Sequence, residues 1–125
     1  MTACLVRGGR MTMTPIEYDP ATGDTMVNGR LFREVYSVTA EYAAMAPWNA
    51  ADEPIVFRGQ WYRRYALPRV IGHTEIVPID VFQGVTVFAE PGITARHPEV
   101  IYVPFTPDCQ FQPYEIAETA AAVRR

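Results

Sequence analysis

A two-residue turn signal that recurs between apolar runs constrains this sequence most. Asn28-Gly29 separates residues 25–27 from residues 30–38, and Asn-Gly in such surroundings is the strongest short-range indication of a β-hairpin. Arg58-Gly59 and Gln83-Gly84 each follow an apolar pair and precede an apolar or aromatic run. The pattern predicts a chain built largely from short antiparallel hairpins.

The later turns leave an alternative open. Arginine and glutamine are weaker than asparagine at the first position of a type I′ turn, which requires a positive φ, so Arg58-Gly59 and Gln83-Gly84 could instead be glycine bulges in longer strands. Asp19-Pro-Ala-Thr-Gly-Asp24 predicts a type I turn closed by a left-handed glycine.

The remaining chain is assigned to short elements. Alternation and β-branched content predict further strands at residues 11–18, 55–57, 60–65, 70–80, 81–82, 85–88 and 99–103. The proline-rich residues 105–114 are predicted to be either an edge strand or extended coil. Helices are predicted at residues 39–45 and 114–125, with a loop carrying Trp48 at residues 46–54. We therefore expect a mainly β fold, with α+β as the alternative: a small antiparallel β-barrel or sandwich with one or two short helices.

Length and composition predict one domain. The chain has 125 residues, of which 49% are hydrophobic, enough for a core without help from a metal or a disulfide. Residues 1–10 lack a periodic apolar pattern and contain a Gly-Gly break, so we expect a flexible, dispensable leader followed by one β-rich domain at residues 11–125. No apolar run is long enough to span a bilayer and no signal-peptide pattern opens the chain, so the expected location is cytoplasmic.

The two cysteines are not expected to pair. Cys4 falls in the predicted leader, and Cys109 is interpreted as a small buried thiol.

Absent residues exclude much familiar chemistry. All eleven basic residues are arginine, and Ser37 is the only serine, which excludes a Schiff-base lysine, a phosphate-loop lysine and a Gly-x-Ser-x-Gly elbow. No Gly-x-Gly-x-x-Gly or zinc-finger spacing occurs. With a net charge of −3, nucleic-acid binding through bulk charge is disfavoured. No cofactor is therefore expected.

The segment Gln60-Trp-Tyr-Arg-Arg-Tyr65 is the most distinctive candidate surface. Alternation places Gln60, Tyr62 and Arg64 on one face and Trp61, Arg63 and Tyr65 on the other. One face should enter the core and the other should meet a partner or a ligand, because Trp, Tyr and Arg anchor protein interfaces. An inward arginine would need a carboxylate, for which Glu75, Asp80 and Glu99 are candidates. The candidate interface comprises Trp61, Tyr62, Arg63, Arg64, Tyr65 and Trp48.

A metal site is the second hypothesis. His73 and Glu75 are two residues apart, so a strand would place both on one face, and His97 could complete a set of two imidazoles and one carboxylate for a divalent metal. The plainer interpretation is a half-buried strand histidine and a surface histidine.

Two functions are therefore weighed. The first is a non-enzymatic β-rich interaction module, either a homo-oligomer or an accessory subunit of a larger assembly such as a virion or an enzyme complex. The alternative is a small barrel that binds or transforms an apolar ligand, with the His73, Glu75 and His97 set as its metal site.

Overall fold

A computed structural model describes residues 2–35 and 39–117 of the chain. Within them lie the two helices α1 (Phe32–Val35) and α2 (Pro47–Ala50) and a 3₁₀ helix at Ala43–Met45. The strands are β1 (Thr2–Arg7), β2 (Arg10–Pro15), β3 (Glu17–Asp19), β4 (Asp24–Val27), β5 (Arg30–Leu31), β6 (Ile55–Phe57), β7 (Gln60–Arg64), β8 (Arg69–Val70), β9 (Val77–Phe82), β10 (Val85–Ala89), β11 (Val100–Thr106) and β12 (Gln110–Ile116).

Tight two-residue turns connect many of these strands. Asn28 and Gly29 have φ of 49° and 78°, Arg58 and Gly59 have 52° and 79°, and Gln83 and Gly84 have 47° and 83°. Two successive positive φ values are typical of the type I′ turn, whose twist matches that of the flanking strands. The predicted Asn28-Gly29 hairpin is confirmed, and the other two pairs are turns rather than bulges.

The longer turn between β3 and β4 also follows its sequence. The Asp19 carboxylate accepts a hydrogen bond from the Ala21 amide at 2.9 Å, and the Gly23 amide donates to the Asp19 carbonyl at 2.8 Å. Gly23 has a φ of 76°, the left-handed conformation that glycine adopts without a steric cost.

One antiparallel sheet dominates the architecture and confirms the predicted mainly β fold. Its strand order is β6-β7-β12-β11-β10-β9, with β8 also paired to β12, and it curls into a half-barrel. A hairpin of β1 and β2 and a three-stranded sheet of β3, β4 and β5 stand beside it.

The inner side of the half-barrel holds the main core. It contains side chains from both ends of the curled sheet, and the segment from the 3₁₀ helix to α2 packs against them. Its buried members are Ala43, Ala46, Trp48, Ile55, Phe57, Tyr62, Val85, Val87, Ile101, Val103 and Tyr114. Each large apolar side chain buried in this way contributes about 1.5–3 kcal/mol to stability.

The outer side of the central strands is covered by the N-terminal hairpin. Cys4 and Val6 of β1 pack with Phe88, Tyr102 and Phe111, and Met11 and Met13 of β2 join them. Every residue of β10 is consequently buried. A sheet covered on both faces has strands that read as nearly continuous apolar runs, as Val85–Ala89 does apart from Thr86.

Residues 2–10 belong to a hairpin, in place of the flexible leader predicted for residues 1–10. Thr2–Arg7 pairs along its whole length with Arg10–Pro15, and Gly8-Gly9 forms the turn, with φ of 58° and 80°. Ala3 and Cys4 are almost fully buried. The Gly-Gly pair is therefore a hairpin turn of the same kind as the others, not a break.

The prediction that the cysteines do not pair is wrong. Cys4 and Cys109 form a disulfide across 105 positions of sequence, and the Cys4 amide donates to the Pro107 carbonyl at 2.7 Å. The bridge ties β1 to the turn between β11 and β12, so Cys109 is not a free buried thiol.

Other elements differ from prediction where tertiary contacts override local propensity. Only residues 43–45 of the predicted helix at 39–45 are helical, and Trp48 lies in α2 rather than in a loop. The predicted strand at 70–80 is interrupted by a turn in which the Glu75 amide donates to the Gly72 carbonyl at 2.9 Å. The predicted helix at 114–125 begins as the end of β12, and its residues 118–125 lie outside the described residues.

Candidate functional site

The inward residues of the candidate interface belong to the core. Tyr62 is 0% exposed, and its hydroxyl donates to the Pro98 carbonyl at 2.6 Å. Burial raises the pKa of Tyr62 to about 12. Trp48 is 6% exposed and contacts Phe82 and Tyr114 edge to face. Neither Tyr62 nor Trp48 can therefore contribute to a contact surface, because both are used by the core.

Arg64 lies on the inward face and is also engaged. Its Nη1 donates to the Asn49 carbonyl at 2.8 Å, and its Nε lies 3.1 Å from the Asp52 carboxylate. Asp52 is not one of the carboxylates predicted for this role. These contacts tie β7 to the end of α2, so Arg64 has a structural role and is not free to bind a partner.

The outward residues form a surface that we call the outer patch, defined as Val56, Trp61, Arg63 and Glu115. Val56 faces Trp61 across the β6–β7 pair, and Arg63 faces Glu115 across the β7–β12 pair. The Arg63 guanidinium lies 2.9 Å from the Glu115 carboxylate, with the two side chains 49% and 33% exposed. Val56 is 41% exposed. Alternation thus separates an inner face from an outer one, as the sequence predicts.

Tyr65 follows the outer patch along the chain. It is partly buried, and burial is the largest of several effects that raise the pKa of its hydroxyl, followed by the neighbouring Tyr102. Tyr65 is therefore only partly accessible to a partner.

The candidate metal residues are not brought together. His73 and Glu75 are exposed and belong to the turn between β8 and β9, not to a strand. The Nε2 atom of His97 lies 2.8 Å from the Arg58 carbonyl. Across residues 2–35 and 39–117, no group of three His, Cys, Asp or Glu side chains could hold a metal ion.

Arg58 is a structural residue that the sequence analysis missed. From the β6–β7 turn its side chain donates to the Ile79 carbonyl at 3.2 Å and to the Arg96 carbonyl at 3.1 Å. It also lies 3.4 Å from the Asp80 carboxylate. Because β6 and β9 are the two ends of the sheet, Arg58 bridges the opening of the half-barrel. An arginine at a turn position that favours asparagine was the available signal.

A cavity of about 420 Å³ lies near Tyr102. We call it the Arg69 pocket, and it is lined by Arg69, Val70, Ile71, Glu75, Ile76, Glu90, Pro91 and Tyr102. Its lining combines one guanidinium and two carboxylates with a smaller apolar surface, and its volume lies within the usual range of small-molecule sites.

Comparisons with protein-family models, with curated proteins and with solved structures give no match. In the part of the chain that the structure describes, no helix has both the length and the apolar character required to cross a membrane.

Proposed function

We propose that this chain is a non-enzymatic interaction module that associates with a second copy of itself through the outer patch. The observation that carries the proposal is the composition of this patch. Trp61 and Val56 lie side by side on the outer face of the sheet, and an arginine and a glutamate lie beside them. Aromatic residues and arginine are enriched where proteins meet.

The charges of the outer patch favour a second copy of the chain as its binding partner. A two-fold interface requires a surface that is complementary to itself. The outer patch carries one cation and one anion beside two apolar side chains, so a two-fold arrangement can place Arg63 of each copy against Glu115 of the other. Such pairs favour the correct orientation more than they add affinity.

The core weighs against the alternative, a small barrel that takes an apolar ligand inside. The inner side of the half-barrel is packed with Tyr62, Tyr114 and Trp48 together with aliphatic side chains. Interiors packed at normal density have no room for a guest without loss of core contacts.

Sedimentation equilibrium over a range of concentrations tests the proposal. We expect a reversible dimer that Trp61→Ala weakens by roughly tenfold or more, as loss of an aromatic interface anchor does. Tyr18→Ala, at a tyrosine 56% exposed on β3, is the matched control and should leave the dimer unchanged.

A charge exchange adds a second criterion. Arg63→Glu should weaken the dimer through like-charge repulsion with Glu115, and combining it with Glu115→Arg should restore the dimer, because opposite charges then meet again. A chain that stays monomeric at every concentration would overturn the proposal, as would a dimer insensitive to Trp61→Ala.

A further inference from the structure

The lining of the Arg69 pocket shares no residue with the outer patch, and its charged side chains form no ion pair with the residues that the structure describes. Arg69 is held in place: its Nη2 donates to the Tyr102 hydroxyl at 2.9 Å, and its guanidinium lies over the Tyr102 ring, 5.5 Å from the centroid. Among the described residues, no carboxylate lies within ion-pair distance of it. Arg69 is thus a positioned cation whose remaining donors are available to a ligand carboxylate.

The two carboxylates of the pocket are also available to a ligand. Neither Glu75 nor Glu90 has a side-chain hydrogen bond or ion pair within residues 2–35 and 39–117. The Glu75 carboxylate is folded back over Gly72, where an added Cβ would lie 3.1 Å from its Oε1 atom. A glycine at position 72 therefore permits this position of the carboxylate at the pocket.

The walls of the pocket add a third property. Val70 and Pro91 are exposed and supply apolar surface beside the charged groups, whereas Ile71, Ile76 and Tyr102 are almost fully buried in the lining. A ligand that matches the cation, the two carboxylates and the apolar surface has a carboxylate for Arg69, a nearby ammonium group for Glu75 and Glu90, and an apolar substituent. These are the groups of a free α-amino acid with an aliphatic side chain.

We infer that the Arg69 pocket binds a free α-amino acid of this class, with Arg69 holding its carboxylate and Glu75 and Glu90 holding its ammonium group. The site does not depend on self-association, because its lining includes no member of the outer patch. An internal peptide segment lacks both charged groups, and a chain terminus carries one of them.

Calorimetric titration of the full chain with three probes tests the inference. Leucine carries both charges and an aliphatic side chain. Leucinamide lacks the carboxylate, and N-acetyl-leucine lacks the ammonium group. We expect saturable one-to-one binding of leucine, with both analogues weaker by roughly tenfold or more, because each loses a charge-assisted interaction. Equal binding of leucine and one analogue would identify a chain terminus as the ligand and overturn the inference.

Variants assign each charge to its role. Arg69→Gln should weaken leucine and remove the preference over leucinamide, whereas Glu75→Gln and Glu90→Gln should weaken leucine and reduce the preference over N-acetyl-leucine. Gly72→Ala should weaken leucine less than Glu75→Gln does, because the added methyl group shifts the carboxylate by only a few tenths of an ångström and leaves its charge in place. Glu99→Gln, at an exposed glutamate outside the pocket, is the control.

Circular dichroism and thermal melts first establish that each variant is folded. If leucine shows no saturable binding at millimolar concentration, or if Glu99→Gln weakens it as much as the pocket variants do, the Arg69 pocket is an open surface groove and the inference is wrong.

Discussion

At the scale of single residues, backbone conformation decides which turn positions tolerate substitution. Asn28, Arg58, Gln83 and Cys109 all have positive φ, a conformation that costs most side chains about 1–2 kcal/mol. The sheet imposes it on Arg58 and Gln83, although their side chains do not favour it. Local preference and global fold disagree at these positions, and the fold prevails.

Gly29→Val should lower the free energy of unfolding by more than about 1 kcal/mol, because a β-branched residue resists a positive φ. An added Cβ at Gly29 would meet no atom within 4 Å, so the loss would report the backbone and not a clash. Gly29→Asn is the control and should cost less, since asparagine tolerates this region. Equal losses in urea-unfolding experiments would contradict the explanation.

Tyr62 should make stability depend on alkaline pH. Burial raises its pKa from 10.0 to about 12 in the folded chain, so folding favours the neutral hydroxyl. The contribution is fully present below pH 10 and is lost as the pH rises towards 12. Tyr62→Phe should show a smaller fall in unfolding free energy over this range. At neutral pH it should cost about 1 kcal/mol through the lost hydrogen bond to Pro98. Parallel curves for the two proteins would contradict the assignment.

At the scale of elements, Arg58 joins the two ends of the curled sheet. Arg58→Met keeps an unbranched stem but removes the donors to the Ile79 and Arg96 carbonyls, so it should lower unfolding free energy by about 1–3 kcal/mol. Asp80→Asn removes only a partly exposed ion pair, which contributes less than about 1 kcal/mol. Denaturant melts of both variants distinguish the two contributions. If the losses were equal, the ion pair and not the backbone contacts would close the half-barrel.

The predictability of these elements follows from the range of the interactions that specify them. The turns at Asn28-Gly29 and Asp19–Asp24 depend on residues within the turn, and they are predicted well. The sides of β7 follow from alternation, but Tyr62 and Trp48 look the same in sequence whether their rings face a core or a partner. Pairing of β1 with β2 and of Cys4 with Cys109 depends on distant contacts, which local patterns do not specify. The Arg69 pocket joins residues from several elements and was missed for the same reason.

At the scale of the whole molecule, the disulfide should contribute much of the stability. A bridge that closes a long loop stabilises by about 2–4 kcal/mol, and here it also holds the hairpin that covers Phe88 and Phe111. Replacing both cysteines by alanine should lower the melting temperature, as reduction of the unaltered chain should, while the variant should be insensitive to reductant. A variant as stable as the oxidised chain would show that the bridge is dispensable.

The bridge also bears on where the chain works. Structural disulfides persist in oxidising compartments and are rare in the cytosol. We therefore expect an oxidising environment in place of the cytoplasm expected from the absence of a signal-peptide pattern. Mass spectrometry of the chain isolated under conditions that trap free thiols would decide between the two.

The link between Cys4 and Cys109 has a mechanical consequence. Residues 5–108 lie inside a closed covalent loop. Tension applied through the segments outside the bridge passes from one sulfur atom to the other and does not reach the hairpins within the loop. While the bridge is intact, stretching the chain from those segments can peel away β12, which follows Cys109, but cannot extend the strands within the loop, and reduction of a single bond would place the whole sheet under load.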